Sequence, residues 1–492
     1  MPEPARAAEL AWETLLELDD GPGSRRERLE RAIRAAVDEG RLPPGAALPP
    51  SRALAETLGV SRWVVTEAYG QLVAEGFLEA RVGSATRVPS GARPRMPRAP
   101  KPATSASSAA PPEPVDPGAT APPASARRAR PRLDLGPGVP DLRHVPRARW
   151  AAAVRTALAE TPDAEFALLD PLGHPATRAQ LAAYLARSRR AAVELDRLAV
   201  VHGAADAVAR LAAALARAGH RAILVEDPSW PRLRELAASA GLTPVPVPVD
   251  GDGIDVERLA EAAARTGARA AIVTPAHQFP LGSALSPARR EALVAWARAH
   301  DAVVVEDDYD AEFRYDRRPI AALQALAPER VVLVGSLSKT VSPAFGLGWA
   351  VLPAAFVDAF RDAQRPSVVE QLALARFIER GDLERHLRAA RVRLRRRRAA
   401  LAAALEARLP ELAVTGLAAG MHLVLELPEG VEAVDAARRA RAAELAVSPL
   451  SRYRVTASAP RREALVLGYG NLSDALVDEA VARLARVLRD AG

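Results

Sequence analysis

Apolar residues recur at a spacing of four between Arg28 and Glu39, at Leu29, Ile33 and Val37, which predicts a helix with one buried face, ended by Gly40. No helix can cross the segment LPPGAALPP that follows, because its prolines lack amide donors and fix φ. Ser51 is expected to cap a short helix carrying Leu54 and Leu58. Gly59 and Val60 form a turn, and Ser61 caps a longer helix through Val64, Val65, Ala68, Tyr69 and Leu72 that ends at Gly76. The run FLEARVGSATRV alternates about Gly83 and predicts two strands joined at a turn. Two helices joined by a tight glycine-containing turn and followed by a hairpin are the order of a winged helix-turn-helix.

Periodicity ceases from Pro89 to Arg132, a stretch dense in Pro, Ala and Ser without aromatic residues, which reads as an extended linker. From Leu133 the pattern changes again. Short runs rich in Val or Ile (LAVVHG, RAILVED, RAAIVTP, AVVVEDD, RVVLVGS) alternate with helical stretches such as DAVARLAAALARAG. That alternation predicts an α/β fold, a mostly parallel sheet with helices on both faces, whose ligands sit beyond the C-terminal strand ends. The expected organisation is therefore 1–88 for the winged helix, 89–132 for the linker and 133–492 for the large domain. Near the C-terminus, Leu387, Leu394 and Leu401 recur every seven residues among many arginines, which predicts a helix with one packed face and one solvated basic face.

A length of 492 residues leaves room for about three domains. A hydrophobic content of 49% with 26% charged residues excludes a wholly disordered chain. No apolar run reaches the roughly 18 residues of a membrane span, and the acidic N-terminus lacks the basic start of a signal peptide. Cysteine is absent, which removes disulfides, thiolate nucleophiles and cysteine metal sites. The histidines show no metal-ligand spacing, so no metal is expected. These features predict a soluble cytoplasmic protein.

The net charge of +7 is misleading as a sign of nucleic-acid binding. Residues 1–88 hold 11 Arg against 14 acidic residues, net −3, while residues 89–132 hold 8 basic against 2 acidic, net +6. The excess lies in the linker, so a DNA-binding face must be locally basic, with Arg52, Arg62, Arg81 and Arg87 as its material.

Lysine is more informative. Only Lys101, in the linker, and Lys339 occur among 67 basic residues. Arginine replaces lysine wherever only positive charge is needed, but it cannot form a Schiff base. Lys339 therefore marks amine chemistry. Around it, Asp307 and Tyr309 follow one strand, and Ser336 and Ser338 follow another. An amine for an imine, an acid for a pyridinium nitrogen, a phenol for a ring oxygen and hydroxyls for a phosphate together describe a site for pyridoxal 5'-phosphate.

The run GRLPPGAALPPSRALAETLGVSRWVVTEAYGQLVAEGFLEARVGSATRV closely resembles the winged helix of the GntR regulator family. The resemblance implies contacts to double-stranded DNA from Arg52, Ser61, Arg62 and Thr66, with Gly83 at the wing tip. Trp63 stands where a small or polar residue is common. Beyond the linker, LLDPLGHPATRAQLAAYLARSR, TPAHQFPLG, EDDYDAEFRYDRRPIAALQALAP and GSLSKTVSPAFGLGW resemble fold-type I aminotransferases, and the whole chain resembles the MocR subgroup. This implies Lys339 as the Schiff-base lysine, Asp307 at the pyridine nitrogen and Tyr309 near the ring oxygen. It also implies Trp230 stacked on the ring, Gly203, Ala204 and Ser336 at the phosphate, and His277 and Gln278 in the segment facing the ring. A homodimer through the large domain follows from the same resemblance.

Four positions depart from the family pattern. Gly346 stands where an arginine pairs with phosphate, Leu168 where a partner subunit's aromatic residue reaches it, and Ala205 where a glutamine is usual. Val466 stands where many relatives carry an arginine for a substrate carboxylate. Arg232 and Arg234 offer a substitute grip on an anion, or simply a solvated helix face. Three functions remain open at this point. The first is a DNA-binding regulator that senses pyridoxal phosphate or its adduct with a small amino compound. The others are an active aminotransferase carrying a DNA-binding head, and a regulator whose pocket has turned to another small anion.

Overall fold

The chain forms two units, residues 1–120 and 121–492. The computed structural model describes Trp12, Leu16 and residues 24–74, 77–80, 85–89, 132–167, 170–315, 320–361, 364–455 and 463–489. Gly76, Arg81, Gly83, Leu168 and nearly all of the expected linker lie outside the described residues.

In the first unit, helix α1 (Arg25–Asp38) opens with a reciprocal cap: the Ser24 hydroxyl accepts from the Glu27 amide, and the Glu27 carboxylate accepts from the Ser24 amide at 2.7 Å. It buries Leu29, Ile33 and Ala36, the i, i+4, i+7 positions of one helical face, and leaves Val37 half-buried. Helix α2 (Ser51–Thr57) begins at Ser51 itself, with Pro50 in the cap position and no side-chain cap bond. The expected serine cap thus falls one residue early, because Pro50 already turns the backbone into the helix. Helix α3 (Arg62–Ala74) does start as expected: the Ser61 hydroxyl accepts from the Val64 amide at 3.4 Å. Glu79 and Arg87 exchange both backbone hydrogen bonds, at 2.8 and 2.9 Å. The proline-rich connector joins this wing, as Leu48 donates to Thr86 and Val88 donates to Ala46. Leu29, Ile33, Leu54, Val65 and Leu72 close one core beneath these elements.

The second unit is built on an eight-stranded sheet. Its strands are β1 (Leu198–Val201), β2 (Ala222–Asp227), β3 (Thr243–Asp250), β4 (Gly253–Ile254), β5 (Ala270–Val273), β6 (Val303–Asp308), β7 (Val331–Ser336) and β8 (Gly348–Val351). In space they run β1-β8-β7-β6-β5-β2-β3-β4, and only β8 and the short β4 oppose the rest. Alternate residues serve the two faces. Ile223, Val225, Val303 and Val305 pack with helix Ala204–Arg217 on one side, while Leu224 and Val304 pack with helices Val256–Thr266 and Pro287–Ala299 on the other. Burial on both faces is why these strands read as unbroken apolar runs.

A smaller antiparallel sheet follows, made of β9 (Val414–Thr415), β10 (His422–Glu426), β11 (Ser448–Pro449) and β12 (Ala464–Gly468). Helices Ala433–Ala442 and Val477–Arg489 pack beside it. The first strand of the unit, Leu133–Asp134, pairs in parallel with Leu445–Ala446 and leads into the segment through Gly138 that lines the cavity described below. The 27-residue helix Asp382–Arg408 buries Leu387, Leu394 and Leu401, as their seven-residue spacing implied. Its basic face is not uniformly solvated, however, because Arg397 is buried.

Candidate cofactor site and DNA-reading face

Every parallel strand from β1 to β7 except β3 ends at one cavity of about 770 Å³. The pleat explains the selection on β6. Glu306 and Asp308 point away from the cavity into a buried cluster with Arg189, whose Nε donates to Asp308 at 2.6 Å, while Asp307 between them faces the cavity. Tyr309 and Asp310 continue that wall. From β7, Ser336 caps the turn Leu337–Thr340, which carries Ser338 and Lys339 to the same cavity. The Lys339 amine donates to the Gly138 carbonyl at 2.6 Å and lies 5.6 Å from the Trp230 ring centroid.

Asp307 is the electrostatic centre of the site. Burial, and then the neighbouring Asp308, push its carboxyl up to about 7 against the pull of Lys339, and its Oδ1 has no hydrogen-bond partner among the described residues. A buried carboxylate oxygen without a donor, facing a cavity, fits a ligand that brings its own N–H, as a protonated pyridine does. Behind it, Glu226 is also raised to about 7 by burial, although Thr274 and Gln278 donate to it.

A carboxyl with a raised folded pKa contributes stability that is complete below its unfolded value near 3.9 and lost as pH rises through about 7. Asp307→Asn is therefore expected to stabilise the cofactor-free protein at pH 8, by at most about 4 kcal/mol, with the gain shrinking toward pH 4. Urea unfolding at both pH values measures it. An equal effect at both would mean that Asp307 is not a buried acid of this kind.

Tyr309 is held from behind. Its hydroxyl lies 3.1 Å from His277 Nδ1, which lies 3.0 and 3.2 Å from the Asp310 oxygens. Gly420 closes this cluster: its φ is +67°, and a Cβ there would stand 2.5 Å from both Asp310 Oδ2 and His277 Nδ1. His277, Asp310 and His422 bring ligand atoms within 4.8 Å of one another, but His277 and Asp310 are in direct contact, so the cluster is a hydrogen-bonded one. Neither His277 nor Gln278 lines the cavity. The Gln278 amide donates to Glu226, Pro228 and Phe279 instead. The side chain from that segment that does reach the cavity is Phe279, set edge-on to Tyr309 and Tyr453. Nothing in the run AHQFP distinguishes the residue that will face inward.

On the opposite side, Gly203 starts the 14-residue helix Ala204–Arg217, and a Cβ on Gly203 would lie 3.9 Å from Ser338 Oγ and 4.0 Å from the Ser336 Cβ. A helix N-terminus facing two hydroxyls is a cradle suited to phosphate. Gly346 has φ +57° with open space around its Cβ position, so an arginine there would be strained. Arg234 cannot serve as a substitute. It donates to the carbonyls of Ser229, Tyr453 and Arg454, which makes it a clamp between two segments rather than a solvated or ligand-binding residue. Val466 is fully buried beside Val424, Leu450 and Tyr453.

In the first unit, Arg52 lies in the first turn of α2, and Ser61, Arg62 and Thr66 lie at the start of α3, all four exposed. Trp63 beside them is 66% exposed. Arg87 is exposed on the wing, with its guanidinium donating to the Gly45 carbonyl. No helix among the described residues is long and apolar enough to cross a membrane.

Known proteins share both units. Residues 130–484 match the family "Aminotransferase class I and II", and residues 25–88 match "Bacterial regulatory proteins, gntR family". The chain is 33% identical over 444 residues to the HTH-type pyridoxine biosynthesis transcriptional regulator PdxR of Corynebacterium glutamicum, covering 88% of this chain and 89% of that one. It is 32% identical over 465 residues to the "Probable rhizopine catabolism regulatory protein MocR" of Rhizobium meliloti, covering 93% and 92%. An archaeal alanine:glyoxylate aminotransferase superposes with a TM-score of 0.68 at 24% identity, over 75% of this chain and 93% of that chain, which establishes the fold. The chain belongs to the GntR-type transcriptional regulators of the MocR and PdxR kind, in which a winged helix is joined to an aminotransferase class I and II domain.

Proposed function

We propose that this regulator binds pyridoxal 5'-phosphate through Lys339 and reads its presence, or that of its adduct with a small amino compound, as a change in DNA binding. The observation that carries this reading is the convergence of Lys339, Asp307 and Tyr309 on one cavity in a protein with a DNA-reading winged helix. Bound there, pyridoxal phosphate would supply a carbonyl that captures amines and an electron-poor ring. Asp307 would hold a proton at the ring nitrogen. Tyr309, backed by His277, would hold the ring oxygen, and Trp230 would cover the ring. Ser336, Ser338 and the amides at Gly203 and Ala204 would take the phosphate. The relative named for pyridoxine biosynthesis supports a pyridoxine-related compound as the signal. Burial of Val466 in an apolar cluster speaks against steady transamination, because that position offers a substrate carboxylate no cation.

The protein would act in the cytoplasm as a homodimer joined through the large domains, placing two winged helices on repeated half-sites. A ligand changes that placement only if it binds two arrangements of the dimer with different affinity. DNA selected from random sequence by the full chain tests this, footprinted with and without pyridoxal phosphate. Repeated half-sites whose protection changes with cofactor are expected, and selection of no sequence, or indifference to cofactor, overturns the reading. On the selected site, Arg62→Ala is expected to weaken binding by about 1–3 kcal/mol and to relax preference at one base position. Binding titrations on single-base variants of the site measure both effects. Uniform weakening across all of them would assign Arg62 to phosphate instead.

A further inference from the structure

Trp63 is the most exposed large apolar side chain among the described residues, at 66%. It stands second in α3, where Val65, Ala68 and Leu72 turn into the core of the first unit, and it takes no part in that core. Among the described residues no aromatic ring and no guanidinium packs on its indole. A single apolar side chain on a surface is ordinary and needs no partner. A tryptophan set between Arg62 and Thr66, on the face that reads DNA, is a different case.

Its neighbours decide what the indole can meet. The Ser61 hydroxyl accepts from the Val64 amide at 3.4 Å, and the Thr66 hydroxyl donates to the Arg62 carbonyl at 3.0 Å, so both serve the helix itself. Arg62 and Trp63 are then the two long side chains that the first turn of α3 presents outward. The helix is also held firmly, because the Tyr69 hydroxyl donates to the Pro49 carbonyl at 3.0 Å. Arg62 and the helix N-terminus attract a phosphate backbone to this end. Glu67, exposed and four residues after Trp63, shares its side of the helix and repels phosphate. That directs the indole toward base edges rather than toward the backbone.

The geometry points to Trp63 as a specificity-determining residue that packs on the C5 methyl of a thymine in the major groove. This deepens the DNA reading given above and rests on it. An indole has an apolar face and a single N–H, which can only donate. In the major groove thymine alone joins an apolar group, its methyl, to an acceptor, O4, without adding a donor. Guanine shows acceptors and no apolar group, adenine adds a donor, and cytosine shows a donor. The first turn of the second helix of a helix-turn-helix is where base edges are met. Arginine in turn suits guanine, so Arg62 and Trp63 together should select a half-site in which a guanine and a thymine stand close together.

The test uses the full chain on the site it selects from random sequence, in whichever cofactor state gives the stronger footprint. Each thymine of a half-site is replaced in turn by uracil, which removes the C5 methyl and leaves O4 and base pairing unchanged. Affinities are measured by fluorescence anisotropy for wild type and for Trp63→Ala. In wild type one such replacement is expected to weaken binding about fourfold, the factor that burial of one methylene-sized group is worth. In Trp63→Ala the same two DNAs should bind equally well. A half-site without a uracil-sensitive thymine, or a uracil effect of the same size in both proteins, overturns the assignment. Two further results would overturn it as well. Uniform weakening on every DNA with the uracil effect intact would give the indole to the sugar-phosphate backbone, and unchanged DNA affinity with altered sedimentation would give it to a second copy of this chain. Should wild type select no sequence at all, the DNA reading itself falls, and this assignment with it. Because Trp63 lies outside the core, an unchanged thermal midpoint is expected to confirm that the variant folds.

Discussion

Lys339→Ala is expected to abolish the imine absorbance band that forms when pyridoxal phosphate is added to the wild-type protein. It should also release the cofactor on gel filtration. The expectation is of complete loss, because Lys101 is the only other lysine in the sequence and belongs to the expected linker, far along the chain from the strand ends that form the site. The local setting supports the same outcome. The Lys339 amine is anchored on the Gly138 carbonyl and faces Trp230, at the end of a strand whose neighbour carries Asp307. Lys339→Arg is the sharper control. It retains the charge and most of the length, yet a guanidinium cannot become the neutral nucleophile the linkage needs, so it should fail as fully as alanine. DNA binding without cofactor should survive both changes. A band that persists in Lys339→Ala would remove covalent binding at this residue. Absence of a band in wild type would bring forward the reading in which the pocket holds another small anion, and turnover of an amino donor and a keto acid would bring forward the enzyme.

Arg397→Ala is expected to cost about 3–5 kcal/mol of stability, the scale for leaving a buried charge without its partner. Arg397 is 2% exposed in the helix Asp382–Arg408 and ties three separate segments together. It donates to Asp141 at 2.7 Å, to Asp474 at 2.6 Å, and to the carbonyls of Tyr469 and Gly470 at 2.9 and 2.6 Å. Burial by itself would raise the Asp141 carboxyl, but hydrogen bonds from Arg143 and Arg397 outweigh it and hold the group well below the usual carboxylate range. A depressed folded value contributes stability that is present above the unfolded pKa, about 3.9, and is lost as pH falls below it toward the folded one. Urea unfolding at pH 7 and in acid should therefore show wild type losing its advantage over Arg397→Ala as the medium becomes acidic. Arg397→Lys should recover only part of the loss, since one ammonium cannot replace a fork that reaches four acceptors. A change of under 1 kcal/mol at pH 7 would mean that water replaces the guanidinium at no great cost.

Both experiments turn on arginines and a lysine, and the sequence treats the two residue types very differently. Lys339 is conspicuous because arginine has displaced lysine almost everywhere else. Arg397 is hidden for the same reason, as one of a row in RVRLRRRR, where its neighbours Arg395 and Arg396 are exposed. Residue type alone assigns it to the solvated basic face, although its place three residues after Leu394 and four before Leu401 lies on the packed one. Asp141 and Asp474, the acids that hold Arg397 inside, are 256 and 77 residues away along the chain. The same distance problem explains Arg234, read from the sequence as a solvated face or an anion contact and found clamped to a turn 219 residues later.

The sequence by itself determined what depends on near neighbours. The helices of the winged unit, the two-sided strands, the packed leucines of the long helix and the placement of Lys339, Asp307, Tyr309 and Ser336 at strand ends all follow from spacing and residue type. Caps, pleats and helical faces are local geometry, so a window of a dozen residues contains their cause. Tertiary structure alone decided which side chains meet. It put Phe279 rather than His277 or Gln278 on the cavity wall, set His277 and Asp310 behind Tyr309, and closed that cluster against Gly420. Those outcomes are contacts between segments far apart in the chain, and a contact exists only once the strands have an order and the loops beyond them share one space.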